Sequence, residues 1–126
     1  MNDRDASALA NLAVLRGRVR GDATDRTLPS GSVSVQFDVT TTVGSAGRSR
    51  KMSVPVSWID PPSVAAALLI DGAELLVIGA VHRRFFRVGG ATQSRTEVVA
   101  DTVIPTRRRK QVTSALDELV ERLGAR

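Results

Sequence analysis

Four apolar side chains, Val33, Val35, Phe37 and Val39, occupy every second position, with Ser34, Gln36 and Asp38 between them. Side chains alternate across a strand, so this run reads as a strand with one apolar face that needs cover. The Leu28-Pro29-Ser30-Gly31 stretch before it is a tight turn. The same period recurs on both sides. Leu12, Val14, Arg16, Arg18 and Arg20 alternate with Ala13, Leu15, Gly17 and Val19, and Met52, Val54, Val56 and Trp58 share one face of a run from Lys51 to Ile59. Gly17, in mid-strand, permits a bulge or a sharp bend. That suits a small barrel whose first strand curls to serve both halves.

The rest of the chain completes a plan. Residues 21–31 are rich in turn formers, and the segment from Val43 to Arg50 contains Gly44, Ser45 and Gly47, a flexible hairpin loop. Pro55 cannot donate a ladder hydrogen bond, which gives the third strand an irregular or edge-like place. Asp60-Pro61-Pro62-Ser63 ends that strand and starts a helix through Ala65 to Leu69, with Asp60 or Ser63 as its cap. Asp71-Gly72 turns the chain into a long fourth strand, Glu74 to Val88; Gly89-Gly90 is its hairpin turn, and Arg95 to Ile104 is the fifth strand. Three strands, a helix and two strands make the order of an OB-fold barrel. The domain spans 11–105, after an arm of residues 1–10. In residues 106–126 the basic run Arg107-Arg108-Arg109-Lys110 leads into Val112, Ala115, Leu116, Leu119, Val120 and Leu123, an amphipathic helical stripe.

Composition narrows the chemistry. With 42% hydrophobic residues the chain can build a core. The absence of cysteine removes disulfides and thiolate chemistry. His82 is the only histidine, which gives a histidine zinc site or a Ser-His-Asp triad no support. No carboxylate pair has catalytic spacing, and Gly89-Gly90 is not followed by the residues of a phosphate loop. The expectation is therefore a non-enzyme without cofactor or metal. No apolar run approaches the roughly 20 residues of a membrane span, and acidic residues flank Arg4 where a secretory leader would be basic. A cytoplasmic protein that makes no membrane contact is expected. The net charge of +5 divides as +2 over residues 1–60, zero over 61–106 and +3 over 107–126. The body is thus mildly basic and the tail strongly so, which suits polyanions.

Several patches, in order, resemble the OB-fold domain of bacterial single-stranded DNA-binding proteins: Gly17, Arg18 and Asp22; the turn and alternating strand from Leu28 to Val39; and Thr96-Glu97-Val98-Val99-Ala100-Asp101. The resemblance covers about residues 12 to 104. It implies sequence-tolerant binding of single-stranded DNA, with RNA as the alternative, and a homo-oligomer, tetramer or dimer. It places the bound strand in a groove of the third and fourth strands and their loops. Binding single strands requires cations for phosphates and flat rings for bases. His82, Arg84 and Phe86 share one face of the fourth strand; Phe86 and Trp58 fall where the family carries aromatics. Arg16 and Arg18 share a face of the first strand, and Arg48, Arg50 and Lys51 crowd the hairpin loop.

The chain also departs from the family. Met52 stands where a tryptophan is frequent, and Val54 where a basic residue is frequent. The family's replication members end in an acidic tip; here a basic run and a helix take that place, which marks a divergent short member acting as an accessory factor in DNA metabolism. The competing reading is an OB module for protein interaction or structure that has lost its nucleic-acid face. The helical stripe has three possible covers: its own barrel, another subunit, or a protein partner.

Overall fold

The computed structural model describes residues 10–124; residues 1–9, most of the expected N-terminal arm, lie outside the described residues. The elements are β1 (Ala13–Thr27), β2 (Val33–Val43), β3 (Arg50–Ile59), α1 (Ser63–Ala66), β4 (Glu74–Val88), β5 (Ala91–Pro105) and α2 (Arg109–Gly124). The strands close into a barrel in the order β1-β2-β3-β5-β4, the five-stranded OB plan expected from the sequence. Among the described residues no helix is long and apolar enough to cross a membrane.

One strand serves both halves. β1 pairs with β4 from Ala13 to Arg18 and with β2 from Arg18 to Thr27. Its irregularity lies between Arg20 and Thr24, not at Gly17. There Gly21 adopts φ +76° and donates its N–H to Asp71 Oδ1 at 2.7 Å. The expected turn over 21–31 is therefore shorter, because strand pairing resumes through Thr27. Gly17 has a different purpose. A β-carbon there would lie 2.8 Å from Val39 Cγ1 and 3.0 Å from the Thr40 carbonyl carbon, so the missing side chain lets β1 cross close over β2.

The alternating residues meet inside. Val19, Val35, Phe37, Val39, Val56, Trp58, Leu75, Val77, Val98 and Ala100 form one buried cluster, and Leu69 joins it. The helix expected through Leu69 stops at Ala66. Beyond it Leu68 and Leu69 donate to Ala65 and Ala66, three residues back, and these tighter turns deliver Leu69 to the core. Neither expected cap is used: the N-cap is Pro62 and no side chain bonds there.

Asp60 instead fastens two strands. It sits at φ +47°, its carboxylate accepts the Val33 N–H at 2.8 Å, and its own N–H donates to the Val33 carbonyl at 2.7 Å. The Val33 hydrogen bond holds the Asp60 carboxyl below the usual aspartate range. A group whose folded pKa is depressed stabilises the fold above its unfolded pKa, and that contribution fades as pH falls through the folded value. Asp60→Ala should therefore lower Tm at pH 7, and the gap from wild type should narrow below about pH 4. A gap that stays constant in a thermal melt series from pH 7 to pH 3 would contradict this role.

The C-terminal stripe is covered in part by its own barrel, while Leu116, Val120 and Leu123 stay exposed. Leu119, Val112 and Ala115 of α2 pack on Leu76, Ile78 and Leu12. A lone helix of this length is marginal in water, and burial of Leu119 alone supplies about 2 kcal/mol toward holding it.

Candidate nucleic-acid interface

The barrel is open along part of one seam. β3 and β5 pair in parallel only from Val56 to Trp58 and Val98 to Ala100. Upstream of that contact β3 is an edge, and Pro55, which has no N–H to donate, is the last residue before pairing starts. Each strand stays paired with its other neighbour. β2 and β3 remain a hairpin out to Val43 opposite Arg50, and β4 and β5 remain a ribbon out to Val88 opposite Ala91. Two arms thus continue beyond the seam, and the space between them, termed the cleft, has no strand pairing across it. At about 3.4 Å per residue each reaches roughly 20 Å beyond the seam.

The ribbon carries most of the chemistry. The fifth strand starts at Ala91 and not at Arg95, which makes the ribbon longer than the sequence suggests. One face holds His82 opposite Glu97, Arg84 opposite Arg95, and Phe86 opposite Gln93. The other face, continuous with the barrel interior through Val98 and Ala100, holds Arg83 opposite Thr96, Phe85 opposite Ser94, and Arg87 opposite Thr92. Two residues are braced: Arg83 Nε donates to Ser94 Oγ at 3.2 Å, and Arg87 donates to the Gly90 carbonyl at 2.6 Å. At the ribbon's base the Asn11 side-chain amide donates to and accepts from the Val81 backbone, both at 2.9 Å. It continues the β1–β4 ladder by one step.

The two arginines that face each other have no carboxylate between them. Like charges directly opposite in an antiparallel pair destabilise it. Among the described residues the only ion pairs are those of Arg16 and Arg18 with Glu74, so neither Arg84 nor Arg95 is in one; the nearest carboxylate along their face is the buried Glu97, one cross-strand pair closer to the barrel. Arg84 Nε is shielded from water and has no hydrogen-bond partner. Its guanidinium lies 5.8 Å from the centre of the Phe86 ring, at the edge of cation–π range. Phe86 is 36% exposed and Phe85 65%. Large rings left in solvent beside unpaired guanidiniums are the two ingredients of a single-strand platform.

The sequence-derived residues separate into four places. His82, Arg84 and Phe86 lie together on the ribbon, and Arg48 and Arg50 lie on or beside the loop of the β2–β3 arm. Arg16, Arg18 and Lys51 line a separate basin on the outer wall of β1, β2 and β3, with Thr40, Thr42 and Glu74. Trp58 is elsewhere. It is 8% exposed and packed in the barrel core, so its ring offers no face to a base. The third and fourth strands, between which the sequence places the groove, are not paired neighbours: β3 belongs to the β2–β3 arm and β4 to the β4–β5 ribbon.

Five residues escaped the sequence reading. Arg95 was hidden because only the register shows that it faces Arg84. Phe85, Arg83 and Arg87 were assigned to the other strand face and set aside; the signal available was their continuation of a basic-aromatic run. Glu74 was also missed. Its carboxylate sits 2.8 Å from Arg16 Nε and 3.7 Å from an Arg18 amino nitrogen, and the Arg16 hydrogen bond holds its pKa below the ordinary glutamate value. Arg18 also donates to the Gly72 carbonyl at 3.0 Å.

No protein-family model matches this sequence, and no curated protein matches it. Among solved structures 176 chains match. One is Plasmodium falciparum SSB, solved in complex with single-stranded DNA, with a TM-score of 0.64, 18% identity, and coverage of 82% of this chain and 97% of that one. At that identity the likeness establishes the fold alone.

Proposed function

We propose that this protein binds single-stranded nucleic acid, DNA in preference to RNA, in the cleft between its two arms. The observation that carries the reading is the pair of Arg84 and Arg95, facing each other outside any ion pair beside the exposed Phe86 ring. A phosphate between two opposed guanidiniums turns a repulsion into two charge-assisted hydrogen bonds. Phe85 and Phe86 stack bases from the two ribbon faces, at about 1–3 kcal/mol per stacked base. Arg83, Arg87, Arg48 and Arg50 neutralise flanking phosphates. No reaction, cofactor or metal is part of this account. The wider setting we propose is a cytoplasmic accessory factor in DNA metabolism that acts as a homo-oligomer, tetramer or dimer. That the Plasmodium structure, similar in fold, was solved with single-stranded DNA supports the choice of ligand.

The test is a fluorescence-anisotropy titration of a labelled oligothymidylate at low and moderate salt, with a duplex of equal length beside it. Saturable binding that weakens with salt and is much weaker for the duplex is expected. Flat curves for the single strand at low salt would overturn the reading in favour of a protein-interaction module.

Glu74 makes a further prediction. It already holds Arg16 and Arg18 as a phosphate would, so a bound strand has to compete with it. Glu74→Gln should bind the oligonucleotide more tightly and steepen the salt dependence by about 0.7 in log–log slope for each phosphate newly engaged. A Glu74→Gln variant with wild-type affinity and slope would show that Arg16 and Arg18 lie off the path.

A further inference from the structure

Four shallow basins join across the flank of the barrel. The first, of about 340 Å³, is lined by Arg20 and shares Thr40 and Lys51 with a second, of about 380 Å³, that holds Arg18 and Arg16. Arg16 also borders the third, of about 370 Å³, between Leu76 of β4 and the start of α2. That basin shares Arg109 and Thr113 with the fourth, of about 360 Å³, beside Lys110. The cations Arg20, Lys51, Arg18, Arg16, Arg109 and Lys110 therefore border a row of adjacent basins, here called the furrow, in which Glu74 is the one carboxylate among the described lining residues. Lys51 lies next to Arg50, beside the loop of the β2–β3 arm, which puts part of the furrow on that arm.

We propose that the backbone of a bound strand leaves the cleft at Lys51 and follows this furrow onto α2, so that Arg109 and Lys110 hold phosphates and the C-terminal helix is part of the binding site. The proposal rests on the reading of the cleft above. Three observations support it. Apart from the Glu74 carboxylate, the furrow's polar lining is guanidinium, ammonium and hydroxyl, with Ser53, Thr40, Thr42 and Thr113 spaced among the cations and no aromatic ring; such a surface takes a repeating anion and ignores bases. Successive basins share lining residues, which puts them side by side as a chain-like ligand requires. The first turn of α2 has no acidic residue, and Arg107, Arg108, Arg109 and Lys110 form no ion pair among the described residues. Cations there run against the helix macrodipole, an electrostatic cost that a polyanion along the furrow offsets.

The experiment compares an oligothymidylate just long enough for the cleft with one about three times longer, in a salt series, for wild type and for Arg109→Ala/Lys110→Ala. Both residues are exposed, and thermal melting should show no fall in Tm for the variant. Wild type should bind the longer strand with a steeper salt slope. The variant should lose about 1.4 of that slope and bind the short strand as wild type does. A variant that keeps the wild-type slope on the long strand overturns the furrow proposal alone. Failure of wild type to bind either oligonucleotide overturns the cleft reading and the furrow with it. A variant defective only toward polyglutamate would assign the furrow to acidic peptides, against the proposal.

Discussion

Arg84→Glu combined with Arg95→Glu is expected to weaken binding of single-stranded oligonucleotide by at least two orders of magnitude. Each charge-assisted hydrogen bond lost is worth about 1.5–3 kcal/mol, and two of them already correspond to a hundredfold or more. The single substitutions make the argument sharper. Arg84→Glu alone places a carboxylate opposite Arg95, replacing a repulsive cross-strand pair with an attractive one. That exchange should raise stability by about 0.2–1 kcal/mol while affinity falls. Stability and affinity therefore move in opposite directions at one residue. Oligonucleotide titration and thermal melting of the same variant check both signs. A variant that loses stability and affinity together would mean that Arg84 is a structural brace and not a phosphate ligand.

The largest effect on stability is expected at Gly79. Here β4 and β5 shift register, Ile78 facing Thr102 and Gly79 facing Ala100, so that Asp101 is passed over. A β-carbon on Gly79 would lie 2.8 Å from the Val99 carbonyl carbon, 2.9 Å from Ala100 Cα and closer still to the Val99 carbonyl oxygen. All three are backbone atoms, which cannot swing aside as a side chain would. Gly79→Ala should cost about 3 kcal/mol or more, at the upper end of overpacking effects, and lower Tm by about 10 °C. Because the same bulge launches the ribbon from the barrel, affinity for oligonucleotide should fall too, measured at a temperature where the variant is still folded. A Tm within two or three degrees of wild type would show that the bulge relaxes freely, contrary to this account.

Much of the barrel was legible because its cause is local. Alternation at Val33–Val39, at Met52–Trp58 and along β1 reports which side chains turn inward, and a period of two is read directly from sequence. The packing of α2 was legible only as alternatives, since the stripe from Val112 to Leu123 says that something covers it and not what; Leu76 and Ile78 cover the Val112, Ala115 and Leu119 part of it. The candidate site was less legible. Trp58 and Val56 look alike from sequence, and only barrel closure over the Val56–Trp58 segment decides that the tryptophan is enclosed. The pairing of Arg84 with Arg95 depends on a two-residue hairpin at Gly89-Gly90 and on the register it sets. Asp60 was read as a helix cap because an aspartate before two prolines suits one. The structure spends that carboxylate on Val33, 27 residues earlier, a contact that no local pattern announces.

The most direct test of the central claim is an amide-resolved NMR titration of the isotope-labelled protein with a short oligothymidylate. The account predicts saturable, salt-sensitive shifts at Arg83 to Arg87 and Thr92 to Thr96 on the ribbon and at Arg48 to Lys51 on the facing arm. Trp58 and the residues of α1 should stay near their starting positions. Shifts confined to α1, or none on the ribbon when the oligonucleotide is in excess at low salt, would contradict it.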